Sequence, residues 1–314
     1  MRAKLGRPDL NEYRAHFDLP QATDPTRIGI TFLGVSSLLI DDGVSGLLTD
    51  GFFSRPGLAQ VLLGKLRPNQ RRINAALQRS GALELQMAGV LAVHSHYDHA
   101  LDSAVVAEKL NCPLVGGNST AQIGIGHGLD AGQILTPVPE HPFQLGPWQV
   151  TLVASEHCPP DRYPGEITAP VRPPVRVGAY RCGEAWSILV EHPTGQSILV
   201  QGSAGFVAGA LTGRSAQIAY LGVGQLGLMP VDYIETYWAE TVATVGAREV
   251  VLIHWDDFFG RLPQTPADQP LRALPYAGDD LDVTMQVFSR LAERDRVRLS
   301  FPELWVRADP WRRG

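Results

Sequence analysis

Apolar positions in this chain come in short runs. Ile28–Leu33, Ser37–Ile40 and Gly46–Thr49 lack a helical period and read as strands. Gly34 splits the first two, and Asp41-Asp42-Gly43 is a hairpin turn signal between the second and third. Residues 69–80 then change period and put Ile73, Ala76 and Leu77 on one helical face. Val90–Val93 is a short buried strand, Ser103–Leu110 a helix, Pro113–Val115 a strand and Asn118–Ile125 a short helix, with another strand near Gln133–Thr136. The second half repeats the rhythm. Trp148–Val153 is a strand, and Ser187–Glu191 and Ser197–Val200 form a hairpin across residues 192–195. Ile218–Leu221 and Val250–Ile253 are buried strands around a helix at Tyr233–Val245; a helix at Leu281–Ala292 and a strand over Val297–Val306 close the chain.

Two β-rich halves, each ending in helices, predict an α/β (α+β) protein, a four-layer αββα sandwich with two sheets face to face and helices outside. Residues 1–27 read as an N-terminal arm with Pro8, Pro20 and Pro25, and residues 28–314 as one domain. The 32 glycines and 24 prolines punctuate the whole chain, which excludes a long-helix bundle. Six prolines within 158–177 exclude a central strand or helix there and predict a semi-rigid loop, a lid or pocket wall beside the chemistry below.

Composition narrows the function classes. A net charge of −5 with no basic stripe gives no footing for nucleic acid. The apolar runs are too short to span a membrane, and the N-terminal residues show no secretory pattern, so a cytoplasmic location is expected. Cys112, Cys158 and Cys182 form no CxxC pair and read as reduced thiols.

The chemistry is concentrated in His94-Ser95-His96-Tyr97-Asp98-His99. Directly after a buried strand, i and i+2 side chains point the same way, so His94 and His96 can share one metal. Asp98 and His99 follow where the chain turns, within reach of a second metal about 3.5–4 Å from the first. Imidazole and carboxylate at this density suit zinc, with manganese or iron as alternatives, better than calcium or magnesium. His157 and His254 each lie just past an apolar β-run, where strand ends can bring them to the same face.

These residues carry a resemblance. HSHYDH at 94–99 matches the HxHxDH signature of the metallo-β-lactamase fold, and the likeness runs from about residue 28 to 260. FLGVSSLLID at 32–41, LLTDGFFSRP at 47–56, SEHCPP at 155–160 and VVLIHWDDF at 250–258 resemble its other motifs. The opening and closing segments are most similar to the branch containing L-ascorbate 6-phosphate lactonase and N-acyl-phosphatidylethanolamine phospholipase D. The resemblance implies His94, His96 and His157 on one metal and Asp98, His99 and His254 on the other. It implies a metal-bound hydroxide that cleaves a small ester, lactone or phosphodiester, with Asp98 also orienting the nucleophile. QGSAG at 201–205 stands where the family has G-D-[ST]-G, so Ser203 replaces its bridging aspartate. Three arrangements follow: two metals bridged by hydroxide alone, a weak second metal, or one metal; two metals with the Asp98 site weaker is the expectation. The alternatives in function are a β-lactam-type amidase and a binding or regulatory protein that keeps the fold with little or no catalysis.

Other side chains are assigned by context. Asp50 is expected to fix loop geometry or bond to a ligand histidine, and Tyr97 is the candidate leaving-group acid. Asp256 and Asp257 flank the last histidine and face either a ligand or solvent, and Cys158 reads as an inert thiol. His16, His127, His141 and His192 are expected to bind no metal. A small-molecule substrate is expected, anionic if Arg162, Arg172 and Arg176 face it; a homo-oligomer is left open.

Overall fold

The computed structural model describes residues 4–265 and 267–313; the first three residues of the expected arm lie outside them. The first sheet is built from β1 (Gly29–Phe32), β2 (Leu38–Asp41), β3 (Ser45–Thr49), β4 (Gln86–Leu91), β5 (Leu114–Val115) and β6 (Ile134–Leu135). The second is built from β7 (Phe143–Leu145), β8 (Trp148–Ser155), β9 (Ala185–Glu191), β10 (Ser197–Gln201), β11 (Ile218–Gly222), β12 (Glu249–Ile253) and β13 (Arg298–Ser300). The chain then returns to the first sheet with β14 (Arg307–Ala308). The strand orders are β14-β1-β2-β3-β4-β5-β6 and β13-β12-β11-β10-β9-β8-β7. Each sheet is antiparallel on one side, and parallel from β3 to β6 or from β10 to β13.

Both faces of the central strands are buried, which explains runs that are apolar without alternation. Ile40, Leu47 and Leu91 point inward to meet Leu152, Ile188 and Val200 of the other sheet. Their neighbours Leu39, Leu48 and Val90 point outward under Ile73, Leu77 and Val105. Those last residues belong to helices: α1 (Leu58–Leu63), α2 (Gln70–Ser80), α3 (Tyr97–Ala100), α4 (Ser103–Lys109) and α5 (Asn118–His127) are on the first sheet's side. Asn69 caps α2 by accepting from the Arg72 amide, and Gly81 ends it at φ +76°. On the other side, α6 (Val231–Trp238) and α7 (Leu281–Asp295) bring Trp238 and Phe288 together with ring centroids 5.0 Å apart.

Three expectations change. The single closing strand over Val297–Val306 is two strands in different sheets: β13 runs parallel to β12, and β14 runs antiparallel to β1. Pro302 lies between them and has no N–H to continue a ladder. The helix expected to begin at Tyr233 starts at Val231, after Pro230, and continues from Ala239 as a π-helical segment to Ala243. Helix α1 has no counterpart in the sequence reading, because Leu58, Leu62 and Leu63 face solvent and give no amphipathic signal. Within the arm, Leu10–His16 forms a 3-10 helix, and Phe17 stacks on Phe301 at 5.0 Å.

Candidate metal centre

The centre lies where three strands end. Past β4 the Ala92 amide donates to Val115, and Val93 accepts from the Trp186 amide, so the start of the histidine motif is pinned to both sheets. His94 and His96 then project together, with Nε2 of the first 3.1 Å from Nδ1 of the second. His157, beyond β8, brings its ring centroid to 5.1 Å from that of His94 and 4.7 Å from that of His96. The chain coils into α3, which carries Asp98 and His99, and His254 arrives beyond β12. Asp98 Oδ2 lies 3.8 Å from His99 Nε2 and 3.5 Å from His254 Nε2. In each trio, His94–His96–His157 and Asp98–His99–His254, the potential ligand atoms all lie within 4.8 Å of one another. The trios abut, since the His94 and His99 ring centroids are 3.9 Å apart.

The second nitrogen of three rings is already engaged, which fixes which nitrogen faces the centre. His99 Nδ1 is 2.8 Å from Asp50 Oδ2 and 2.8 Å from Ser36 Oγ. His157 Nδ1 faces its neighbour's carbonyl, Cys158 O, at 2.7 Å. His96 Nε2 faces Asp161 Oδ1 at 3.2 Å and Tyr163 O at 3.3 Å. The free nitrogen of His99, Nε2, is buried and has no hydrogen-bond partner. An unsatisfied buried nitrogen is costly unless something outside the protein fills the position. A divalent transition metal fits both that orphaned atom and the imidazole-carboxylate donor set.

Electrostatics favour neutral imidazoles at His94 and His157 beside an ionised Asp98, whereas His254 shifts the other way. Burial, then the neighbouring rings, led by His99, hold His94 well below the usual histidine range. Burial and the charge of His96 lower His157 to about 4. Burial alone would raise Asp98, but His99 and the hydrogen bond with His254 prevail and keep it ionised. Burial would likewise lower His254, and its hydrogen bond with Asp98 reverses the direction.

The backbone around the centre is strained. Val35, Asp50, Arg55, Gln225 and His254 all have positive φ, and His254 stands at +59°. Such conformations cost free energy in non-glycine residues and persist where surrounding contacts over-determine them. Here a buried chain does so: Arg55 pairs with Asp256, Asp256 accepts from the Val35 amide at 2.8 Å, and Val35 O accepts from the His254 amide at 2.7 Å. Two glycines are required by close approach. A Cβ at Gly224 would sit 2.8 Å from His254 Nδ1, and one at Gly205 would overlap the backbone of Glu156 and His157. Ser203, two residues earlier, accepts from the Cys158 amide through Oγ at 3.0 Å.

A cavity of about 160 Å³ opens over these residues. His96, Asp98, His157, His254 and Ser203 form part of its lining, with Tyr97 beside them. The N-terminal part of the proline-rich loop supplies Arg162 and Tyr163, so that segment is a wall. Arg172 and Arg176 are not among the lining residues, and among the described residues Arg162 is the one arginine that is. The loop is anchored elsewhere through the Leu66 amide, which donates to Val175 O at 2.6 Å.

The remaining assignments resolve by contact. Asp50 bonds to a candidate ligand histidine, as expected. Asp256 serves Arg55 and the Val35 amide, and Asp257 pairs with Arg7 at 3.0 Å, so neither bonds to a trio side chain. His127 pairs with Glu108, and His16, His141 and His192 bond to Leu299 O, Pro139 O and Thr194 Oγ1. Cys158 is buried outside both trios, whereas Cys182, with His96 and Asp161, forms a third group of nearby ligand atoms. Asp161, Ser36 and Arg55 escaped the sequence reading, and Cys182 was read only as a reduced thiol. Asp161 follows His157 by four residues, but loop residues carry no period that would direct a side chain back to the histidines.

No protein-family model matches the chain, and no curated protein matches it in sequence. Solved structures do. Igni18, described as a novel metallo hydrolase from the archaeon Ignicoccus hospitalis, is 14% identical with a TM-score of 0.50, over 88% of this chain and 95% of that one. A protein from Veillonella parvula described as a possible metal-dependent hydrolase is 11% identical with a TM-score of 0.50, over 88% of this chain and 96% of that one. CmlA, a diiron β-hydroxylase from Streptomyces venezuelae, is 11% identical with a TM-score of 0.51; the match covers 90% of this chain and 54% of CmlA. With two mixed sheets packed face to face between helices, the chain has the αββα metallo-β-lactamase fold.

Proposed function

We propose that this chain is a metal-dependent hydrolase holding two divalent transition metals, zinc foremost, and cleaving a small carboxylic ester or lactone. The first metal would be held by His94, His96 and His157, the second by Asp98, His99 and His254. The observation that carries the reading is the pair of abutting trios, with His99 Nε2 buried and unpartnered at their junction. Metals in such a site lower the pKa of bound water and polarise a substrate oxygen. The protein's own part is orientation: Asp50 and Ser36 hold the His99 ring, and Asp161 holds that of His96. The ionised Asp98 carboxylate offers the acceptor that orients an attacking water. Tyr97 lines the cavity, and its phenol, protonated as an ordinary tyrosine is, stands as the candidate donor to the leaving oxygen. A cavity wall to which Arg162 alone among the described arginines contributes favours a neutral ester or lactone over a phosphodiester.

Metal analysis of purified protein, run beside ester, lactone, phosphodiester and β-lactam panels, tests this. Two equivalents of metal with ester or lactone turnover are expected. β-Lactam turnover alone would move the assignment to an amidase, and tight ligand binding without turnover to a binding protein. Replacing Ser203 by Asp is expected to tighten the second metal; unchanged metal content would count against a bridging position for residue 203.

A further inference from the structure

Helix α2 begins against the preference of its own dipole. The positive end of a helix favours acidic side chains and disfavours basic ones. The first turn of α2 holds no acidic residue, and Arg71 and Arg72 occupy its second and third positions. Both arginines line a cleft of about 410 Å³ between that helix end and the segment after β12, and Arg261 lines it from the segment's side. Phe53 and Leu262, both buried, contribute an apolar part of the lining. Three cations therefore share one cleft, and among the described residues no carboxylate belongs to its lining.

These charges are not neutralised elsewhere. Among the described residues none of the three arginines forms an ion pair. Arg72 donates from Nη1 to two carbonyls, Ser54 O and Arg55 O, the second at 3.0 Å, and a carbonyl carries no net charge. Asp102, the carboxylate whose charge reaches Arg72, is taken up by the Phe53 amide at 2.8 Å and the Ser54 hydroxyl at 2.6 Å. Burial, then the charge of Arg261, holds the Arg72 guanidinium below its usual range, so the two cations are close enough to repel. A local preference broken with no gain inside the fold marks a functional position.

We propose that this cleft is a second ligand site and that it takes a phosphate-type dianion, as inorganic phosphate or as the phosphate group of a small monoester. Such a group carries about 1.5 to 2 negative charges near neutral pH and three strong acceptor oxygens. Guanidinium forks match that geometry, and the helix end adds positive potential on the same side. A carboxylate brings one charge and two oxygens, which leaves most of the cationic lining unmatched. The volume, about 410 Å³, is in the roughly 300–1,000 Å³ range of small-molecule sites, so it admits more than the ion alone, and Phe53 and Leu262 suit the remainder. The cleft shares no lining residue with the cavity over the two trios, so the anion bound there is not the group presented to the metals. The proposal does not depend on the hydrolase reading.

Titration calorimetry on the full-length, zinc-loaded protein, with inorganic phosphate, phenyl phosphate and acetate as probes, tests the site beside a double variant, Arg71→Gln with Arg261→Gln. Both side chains are exposed, so the variant is expected to melt no lower than wild type in phosphate-free buffer. Phosphate or phenyl phosphate is expected to bind wild type roughly tenfold or more tighter than acetate, to weaken by roughly tenfold or more in the variant, and to weaken as sodium chloride is raised. Tighter binding of phenyl phosphate identifies a monoester as the ligand and tighter binding of phosphate the free ion; either keeps the site. Phosphate binding retained in full by the variant would place the anion on the metals and overturn the proposal. So would acetate bound as tightly as phosphate. A variant that melts well below wild type without any anion would overturn it too, since the arginines would then serve the fold.

Discussion

His96 and His99 stand three residues apart in one hexapeptide, yet their outer nitrogens rest on different parts of the molecule. His99 leans on Asp50 and Ser36, side chains at the ends of core strands, with no exposure to solvent. His96 leans on Asp161 and Tyr163, both from the proline-rich surface loop and both partly exposed. The same contrast extends to the third member of each trio. His254 is held by the buried sequence of Arg55, Asp256 and Val35, whereas His157 precedes the loop and bonds to the next carbonyl. The Asp98 trio is thus set by the core and the His157 trio by a loop. The trio that contains the carboxylate has the more deeply buried frame.

The contrast can be broken at its strongest point first. Arg55→Ala leaves the fully buried Asp256 without its cation, and removing one partner of such a pair costs about 3–5 kcal/mol. The urea midpoint should fall accordingly, and second-site metal affinity should fall with it. An unchanged midpoint would mean that the Asp256 chain does not hold His254.

Next come the two outer carboxylates, compared directly. Asp50→Asn should lower affinity at the Asp98 trio by roughly 10–100-fold and also destabilise the fold, because Asp50 also accepts from the Val93 amide at 2.9 Å. Asp161→Asn should lower affinity at the His157 trio by about tenfold with little change in stability. Competitive chelator titration and thermal melting of both variants read the difference. Equal losses of stability would erase the distinction between a core-built and a loop-built trio.

The smallest effect concerns pH. Burial raises the Asp279 carboxyl to about 7, and its Oδ2 has no partner, while Oδ1 accepts from the Gly227 amide at 3.0 Å. Unfolded, the group titrates near 3.9. Between about 4 and 7 the folded chain holds the extra proton, so the Asp279 contribution to stability is full below about 4 and is lost as pH rises through 7. Asp279→Asn should therefore melt roughly 2–4 °C above wild type at pH 8, with that gain vanishing near pH 4. A melting difference independent of pH would show that Asp279 is not titrating in this range.

Much of the centre was legible because strand ends are legible. Three β-runs stop at or shortly before His94, His157 and His254, and short separations along the chain put His94 beside His96 and Asp98 beside His99. Asp50 was legible too, since it sits in a turn that the resemblance marks. Asp161 was not, because its direction depends on how a proline-rich loop folds back. Arg55 and Asp256 were also hidden: a buried ion pair between residues 201 positions apart leaves no local trace. Helix α1 was invisible for the opposite reason, since its leucines are turned toward the cavity mouth and solvent, and the pattern has no polar face to reveal a helix.

The sequence alone determined the two-layered β rhythm, the helices around it and the identity of the metal-suited side chains, because period and donor type are local properties. Only the tertiary structure decided which ring nitrogen faces inward, which carboxylate steadies which histidine and that Arg71, Arg72 and Arg261 share a cleft. Those depend on contacts between segments far apart in the chain, and distance along the sequence does not encode direction in space.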